Sequence, residues 1–472
     1  MTRTGLAVVL ASVVALSTTA RAQVGSAQSA PTTLTLEQAL QYALDHYPTV
    51  RAALEQANAS TASVSVAKAA YLPRFDSVWQ TNRGTANNIF GQLLPQSVLP
   101  SISGPALPSA SGQSVWGSAA GGLLSWEPVD FGLRDAMVRE AEAGVVRARA
   151  EAGLTELAVQ QAAGVAFLAV VSAQQALAAA DADVRRREVL ARAAHTLADN
   201  QLRPGAEASR ADAELAAART RAIQGRQGVS VAQATLDRML GVAGGPVVVS
   251  TARLLDGAVP MAPPAAVPVA PHPLVLSELA AVDLARAREA VLAKTDHPRL
   301  YLQSSISARG SGANPDGVFD GGADGLGLER VNWAAGVQVV FPNLFDFSTL
   351  RSRRAAAGAL TRAESARYDE AILTVTSQQR TAAAVVDAAL AIAQNTPIQL
   401  AAATQSEAQA RARYDAGLTG MIEVAEAQNL LAGAEYQDAA ARIDVWRALL
   451  ARAVAQGSVA SFVDLLRGSG RQ

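Results

Sequence analysis

The chain has 472 residues, a formal net charge of −1, no cysteine and only 4% aromatic residues. A near-neutral charge argues against nucleic acid as a partner, and the lack of cysteine excludes disulfides and a lipidated N-terminal cysteine. A composition rich in Ala and poor in aromatics suits long, closely packed helices better than one globular core.

Residues 1–22 combine Arg3, an apolar run from Leu6 to Leu16 and the small-residue site Ala20-Arg21-Ala22. This is the pattern of a secretory signal peptide, too short to cross a membrane. No later stretch carries 18 consecutive uncharged apolar residues in a helical pattern, so no spanning helix is expected.

The rest of the chain repeats one plan. Pro48 and Pro273, Pro73 and Pro298, and Arg74 and Arg299 are each 225 residues apart. Asp130 in "PVDFGLR" matches Asp346 in "LFDFSTLR" at 216, and Gly205 matches Gly417 at 212. On that reading the offset drops by nine in an inter-strand loop and by four, about one helical turn, inside the long helix. These matches, in the same order in both halves, point to duplication. The expected division is residues 23–241 as repeat one, 242–272 as a Pro/Ala-rich linker on the surface, and 273–457 as repeat two. Residues 458–472 read as a C-terminal tail.

Each repeat opens with a helix (36–70; 274–295) that ends before a proline. A strand, a loop, a second strand, a very long helix, a turn and a returning helix follow. The long helix of repeat one is expected over 133–202, about 100 Å at 1.5 Å per residue. Its counterpart, 349–416, contains Pro397, which should kink or interrupt it. Gly417 is a left-handed helix stop.

The strands are short of charge. "VNWAAGVQVVF" places Val331, Trp333, Ala335, Val337, Val339 and Phe341 on one face, with Asn332 and Gln338 on the other. Strands of about 10 residues with one apolar face are the signature of a membrane barrel. Trp79, Trp116, Trp126, Trp333 and Phe341 suit interfacial girdles against membrane lipid. Four strands cannot close a barrel alone, and open edges are not tolerated in lipid. Several chains must therefore share one barrel: two would give eight strands with a filled interior, and three would give twelve around a lumen.

These residues, the paired "P…YLP" and "P…HP" junctions, "PVDFG" and "LFDF" before the long helices and "RYDAGLTGMIEVAEAQ" at the tip, resemble the TolC family of outer-membrane efflux proteins. The resemblance covers nearly all of the mature chain. It implies an α+β membrane protein, a homotrimer in which a shared transmembrane β-barrel continues into an antiparallel α-helical barrel through the periplasm. It also implies a periplasmic adaptor and an inner-membrane pump as partners, small-molecule efflux as function and the outer membrane of a Gram-negative bacterium as location. Type I protein secretion through the same duct stays open as an alternative, and a periplasmic coiled-coil adaptor is a more distant one.

By that resemblance Tyr414, Glu423 and Glu426 line or lock the periplasmic aperture. Asp212 and Glu214 stand nearby in repeat one, with Glu214 matched to Glu426. Thr419 and Ala211 depart from the family pattern. Arg203-Pro204-Gly205 and Ala416-Gly417-Leu418 are the expected adaptor-docking turns. Three chains would bring six Glu423 and Glu426 carboxylates around one axis, which should favour cations. His46, His195, His272 and His297 are scattered, without a second ligand at helical spacing. Asp316, Asp320 and Asp324 lack the spacing of a calcium loop. No nucleophile–base motif is present, so neither an enzyme nor a cofactor is expected.

Overall fold

The computed structural model describes residues 33–85, 94–99, 112–242, 247–255, 271–314, 319, 321–342 and 345–468. The expected signal peptide and residues Asp316 and Asp320 lie outside them. Repeat one contains β1 (Thr33–Leu34), α1 (Leu36–His46), α2 (Pro48–Ala69), β2 (Arg74–Thr85), β3 (Ser114–Val129), α3 (Leu133–Asp199) and α4 (Gly205–Leu240). Then come β4 (Val248–Val249) and α5 (Ala252–Leu255). Repeat two contains α6 (Pro273–Lys294), β5 (Arg299–Ser311), β6 (Arg330–Val340), α7 (Phe347–Asp415) and α8 (Met421–Ala455), followed by α9 (Ala460–Gly468).

The four long strands form one antiparallel sheet in the order β2-β3-β5-β6, so β2 and β6 are its free edges. From one end of that sheet run two antiparallel helix pairs, α3 with α4 and α7 with α8. α3 also packs on α8, which joins the two pairs. At 67 and 69 residues the long helices reach about 100 Å.

Several expectations are corrected. The opening helix of repeat one is two helices, because Tyr47, with ψ 124°, is pushed into extended backbone by Pro48. Of the two effects expected of Pro397, interruption is absent, since α7 continues from Phe347 to Asp415. The expected tail holds α9, whose Phe462 and Leu466 are buried, with Phe462 edge-on to Trp446 at 6.2 Å. The described part of the linker is built in as well: β4 pairs in parallel with β1, and the Trp446 indole donates to the Leu254 carbonyl at 3.3 Å.

A further correction concerns the repeat register. Left-handed Gln201 ends α3 as Gly417 ends α7, Pro204 and Gly420 are the N-caps of α4 and α8, and left-handed Gly241 and Gly457 follow those helices. All three pairs are 216 apart, the offset of Asp130 and Asp346, so the long helices match without a one-turn slip. Gly205 is therefore not the partner of Gly417. The partner is Gln201, a residue type with no glycine signature. Glu207 then pairs with Glu423, and Arg203 with Thr419.

Mid-way along the helices lies the main core, where Phe167, Leu168, Leu236, Leu240, Ile443, Trp446 and Leu450 are fully buried or nearly so. Gly164 makes this packing possible, since a Cβ there would lie 2.6 Å from Leu450 Cδ2. Among the described residues α3 is the one helix long and apolar enough to cross a membrane. Its Phe167, Leu168, Val170 and Val171 are instead buried in this core.

The strand-to-helix junction of repeat one is held by charge. Asp130 accepts from the backbone of Gly132 at 3.0 Å and of Arg134 at 2.6 Å, and pairs with the buried Arg134 guanidinium at 2.8 Å. Arg134 in turn lies 4.7 Å from the Tyr71 ring centroid. Burial raises the Asp130 pKa, but the Arg134 contacts and the Gly132 N–H outweigh it and hold it below the usual value. A depressed folded pKa stabilises above the unfolded value of about 3.9 and is lost as pH falls through the folded one. The thermal midpoint of the parent should accordingly fall as pH drops below about 4. Asp130→Asn should be less stable at pH 7, with the gap closing in acid. A gap that stays constant from pH 7 to pH 3 would rule this out.

Candidate functional site

The sheet has two chemically opposed faces. Across β5 and β6, Leu302 stands opposite Val337, Ile306 opposite Trp333 and Ala308 opposite Val331. The alternate register sets Tyr301 opposite Gln338, Ser307 opposite Asn332 and Arg309 opposite Arg330. Residues directly opposite share a face, and the pattern extends over the sheet. Phe75, Trp79, Leu124 and Trp126 join the apolar side, while Arg74, Asp76, Gln80 and Asn82 join the polar side.

In a single chain the apolar face is bare. Trp333 is 79% exposed, Trp79 68% and Val337 65%. From Phe75 to Arg83 the strand advances about 27 Å, close to the apolar band of a membrane barrel. The five candidate girdle aromatics are spread along this face. Trp126 donates to the Tyr71 carbonyl at 3.0 Å near the helices, where exposed Phe341 follows β6 directly. Trp116 sits at the loop end under the Arg83 guanidinium, 5.5 Å away. Trp79 and Trp333 lie between these levels.

The opposite ends of the hairpins are capped alike. At the end of α7 the Leu418 N–H donates to Arg413 O and the Gly417 N–H to Tyr414 O, both at 2.9 Å. At the end of α3 the Leu202 N–H donates to Leu197 O at 2.8 Å and the Gln201 N–H to Ala198 O at 2.9 Å. Both are Schellman caps. They need a left-handed residue, supplied by Gly417 at φ 76° and by Gln201 at φ 58°. Gly417 costs nothing there, whereas Gln201 carries a steric penalty of about 1–2 kcal/mol.

Arg203 ties the two turns together. Its guanidinium lies 5.2 Å from the Tyr414 ring centroid, donates to the Thr419 carbonyl at 3.2 Å and is 3.7 Å from Glu207. Glu207 also accepts from the Tyr414 hydroxyl at 3.4 Å. Tyr414 is buried with Leu190, Ala191, Ala211, Met421 and Val424, so it acts as a strut between hairpins within the chain. Burial, then the Glu207 carboxylate, pushes its phenol pKa up. Pro204 and Gly205 start α4, while Leu202 and Leu418, at 70% and 73% exposure, form the protruding apolar points of the tips.

The candidate carboxylates are mostly engaged. Glu423 pairs with Arg413 at 2.9 Å and accepts from the Thr419 hydroxyl. Asp212 holds exposed His195 at 3.0 Å, raising the imidazole pKa. Glu214 pairs with Arg187 at 2.9 Å. Glu426 is exposed, and no ion pair is described for it.

The charged centre that the sequence reading missed is Arg187. Only 2% of its side chain is exposed, and it donates from Nε to buried Asp183, from one terminal nitrogen to Glu214 and from the other to Asn429 at 2.8 Å. One side chain thus joins α3, α4 and α8. Beside it lies a groove of about 400 Å³ lined by Ala176, Ala180, Gly225, Gly433 and Tyr436. The spacing of four between Asp183 and Arg187 was the available signal, but exposed helices show the same spacing.

With this geometry in view, comparison with known proteins is informative. Residues 270–456 match the family model described as outer membrane efflux protein. That match spans the second repeat alone. No curated protein matches the chain by sequence. Solved structures extend the likeness to the whole fold. CusC, described in terms of transmembrane channel formation, aligns with TM-score 0.72 at 14% identity over 90% of this chain and 92% of its own. The CmeC outer membrane channel of Campylobacter jejuni gives 0.70 at 14% identity, covering 92% and 89%. VceC, an outer membrane protein of Vibrio cholerae, gives 0.68 at 16%, covering 90% and 96%. At these identities the likeness establishes the fold, and the resemblance drawn from the junction and tip motifs is borne out.

Proposed function

We propose that the chain is one third of an outer-membrane exit duct, passing small molecules received from a periplasmic adaptor and an inner-membrane pump. The observation that carries this reading is the sheet: four strands, a bare apolar face, a polar opposite face and two unpaired edges, β2 and β6. Such a sheet is stable in lipid only when its edges close on copies of itself. Three copies give twelve strands and a lumen lined by the polar face. Below it, six helix pairs of about 100 Å continue the lumen through the periplasm.

The turns at Arg203–Gly205 and Ala416–Leu418 then form the far rim and are the surfaces an adaptor would meet. Tyr414, Arg203 and Glu207 latch one hairpin to the other at that rim, and Glu423 and Glu426 stand just inside it. The fold favours this duct over an adaptor, because both helix hairpins and the membrane-type sheet belong to one chain.

Cell fractionation followed by mass measurement in detergent tests the proposal. The protein should stay with the outer membrane until detergent is added, then sediment as a trimer. Recovery as a soluble periplasmic monomer would overturn it.

A further inference from the structure

Part of the connection between β2 and β3 lies on the sheet itself. Gln96 folds residues 96–99 into a compact bend. Its side-chain oxygen accepts from the Val98 N–H at 2.6 Å and the Leu99 N–H at 2.7 Å, and its amide donates to the Leu99 carbonyl at 2.8 Å. The bend thus satisfies its own backbone polar groups. It leaves Leu99 as an apolar knob, and that side chain is buried.

The knob is seated on the polar face. A Cβ on Gly121 would lie 2.5 Å from Leu99 Cδ2 and 2.9 Å from Ser307 Cβ. Gly121 stands opposite Val78 and Ser307, on the rung that Asn332 completes. Ser307 on this rung, and Gln80 and Ala119 on the next, are buried, whereas Asn332 in edge strand β6 is exposed. Val78 lies seven residues before Thr85, the end of β2, so Leu99 rests about 24 Å along the strand from its loop end.

The sheet is shaped to receive it. Gly117, Ala119 and Gly121 leave β3 without bulk on this face. Glycine inside a strand weakens it and marks a place where another backbone comes close. Here the segment that comes close is the bend, and it belongs to the same chain.

We propose that the Gln96–Leu99 bend stands inside the lumen of the duct, where three copies at one level form a constriction that restricts export to small solutes. This rests on the duct reading above and narrows it against protein secretion. Twelve strands about 4.8 Å apart and tilted about 40° enclose a barrel about 24 Å across, with its axis about 12 Å from the wall. A segment packed on a sheet adds a layer about 10 Å deep. Three bends therefore reach most of the way to the axis, and the gaps between them are of solute size. Leu99, seated on Gly121, sets the limit.

The chain has no cysteine, so a single one introduced into the full-length protein reports access without background. Ala334→Cys stands on the polar face, one rung nearer the helices than Asn332. Ala323→Cys, in the exposed loop before β6, reports that a reagent reaches the cell surface. Intact cells are treated from outside with a small sulfonated maleimide or with a maleimide on a long polyethylene glycol chain. Ala323→Cys should take both. Ala334→Cys should take the small reagent, and labelling by the long one should be lost. Adding Leu99→Asp, or replacing residues 94–99 by glycine and serine, should restore the long reagent to the level seen at Ala323→Cys. Both changes lie outside the strands. Labelling of Ala334→Cys by the long reagent with the bend intact overturns the proposal and leaves the duct reading standing. Continued exclusion in both altered chains, assembled as trimers, does the same. Trimers whose Ala334→Cys takes neither reagent, with the bend present or replaced, overturn the duct reading and this proposal together.

Discussion

Arg187→Met is expected to destabilise the protein by about 3–5 kcal/mol, the cost of removing one partner from a buried ion pair. The substitution keeps length and apolar bulk, so little packing is lost. What changes is that Asp183, 2% exposed, loses two contacts at 2.9 and 3.0 Å. It keeps only Arg221, at 2.8 Å. Glu214 and Asn429 lose their shared donor as well.

The same logic predicts its own rescue. Replacing a buried pair by apolar residues is often neutral or stabilising, so Arg187→Met with Asp183→Leu should recover most of the loss. A double-substitution cycle read by thermal midpoint and limited proteolysis in detergent isolates the coupling. Since Arg187 joins α3, α4 and α8, the first new protease cuts should fall in the hairpins, and the sheet should stay intact. An unchanged midpoint in Arg187→Met would show that water in the neighbouring groove already solvates Asp183, and the network would have no structural role.

How much was legible beforehand divides along physical lines. Period-2 alternation in "VNWAAGVQVVF" and the proline-marked junctions revealed the strands and the duplicated plan, because burial and backbone stereochemistry leave local traces. Gly417 was legible as a helix stop because glycine is cheap in left-handed backbone. Gln201 was not, since its conformation is imposed by the cap and the hairpin rather than favoured by its own type. That one residue displaced the repeat register by a turn and paired Glu214 with Glu426, where the structure pairs Glu207 with Glu423. Pro397 left a kink and a break equally open, and only the structure shows that a helix held by its neighbours runs through it for 69 residues. The partners of Arg187 and Arg203 lie up to 242 residues away in the chain, a separation at which no spacing rule operates.

Two neighbouring alanines offer the sharpest test of which face meets lipid. Ala334 stands opposite Ser305 on the polar face, and Ala335 stands opposite Ser304 on the apolar face. Both are exposed in β6, near the middle of the apolar band. A single chain therefore gives no reason for the same substitution to behave differently at the two sites. In the assembled duct the sites differ entirely. Arginine on the lipid side near the bilayer midplane costs about 2–4 kcal/mol, whereas the lumen side is solvated. Three copies multiply that cost, to about 6–12 kcal/mol per assembly. Ala335→Arg is accordingly expected to abolish outer-membrane trimers, and Ala334→Arg to leave them at the parent level, as measured by heat-modifiable bands in membrane fractions. Export through Ala334→Arg should continue, because that side chain enters the lumen. Equal assembly of the two variants would mean that the bare face of the sheet does not contact lipid, and the barrel would have to be abandoned.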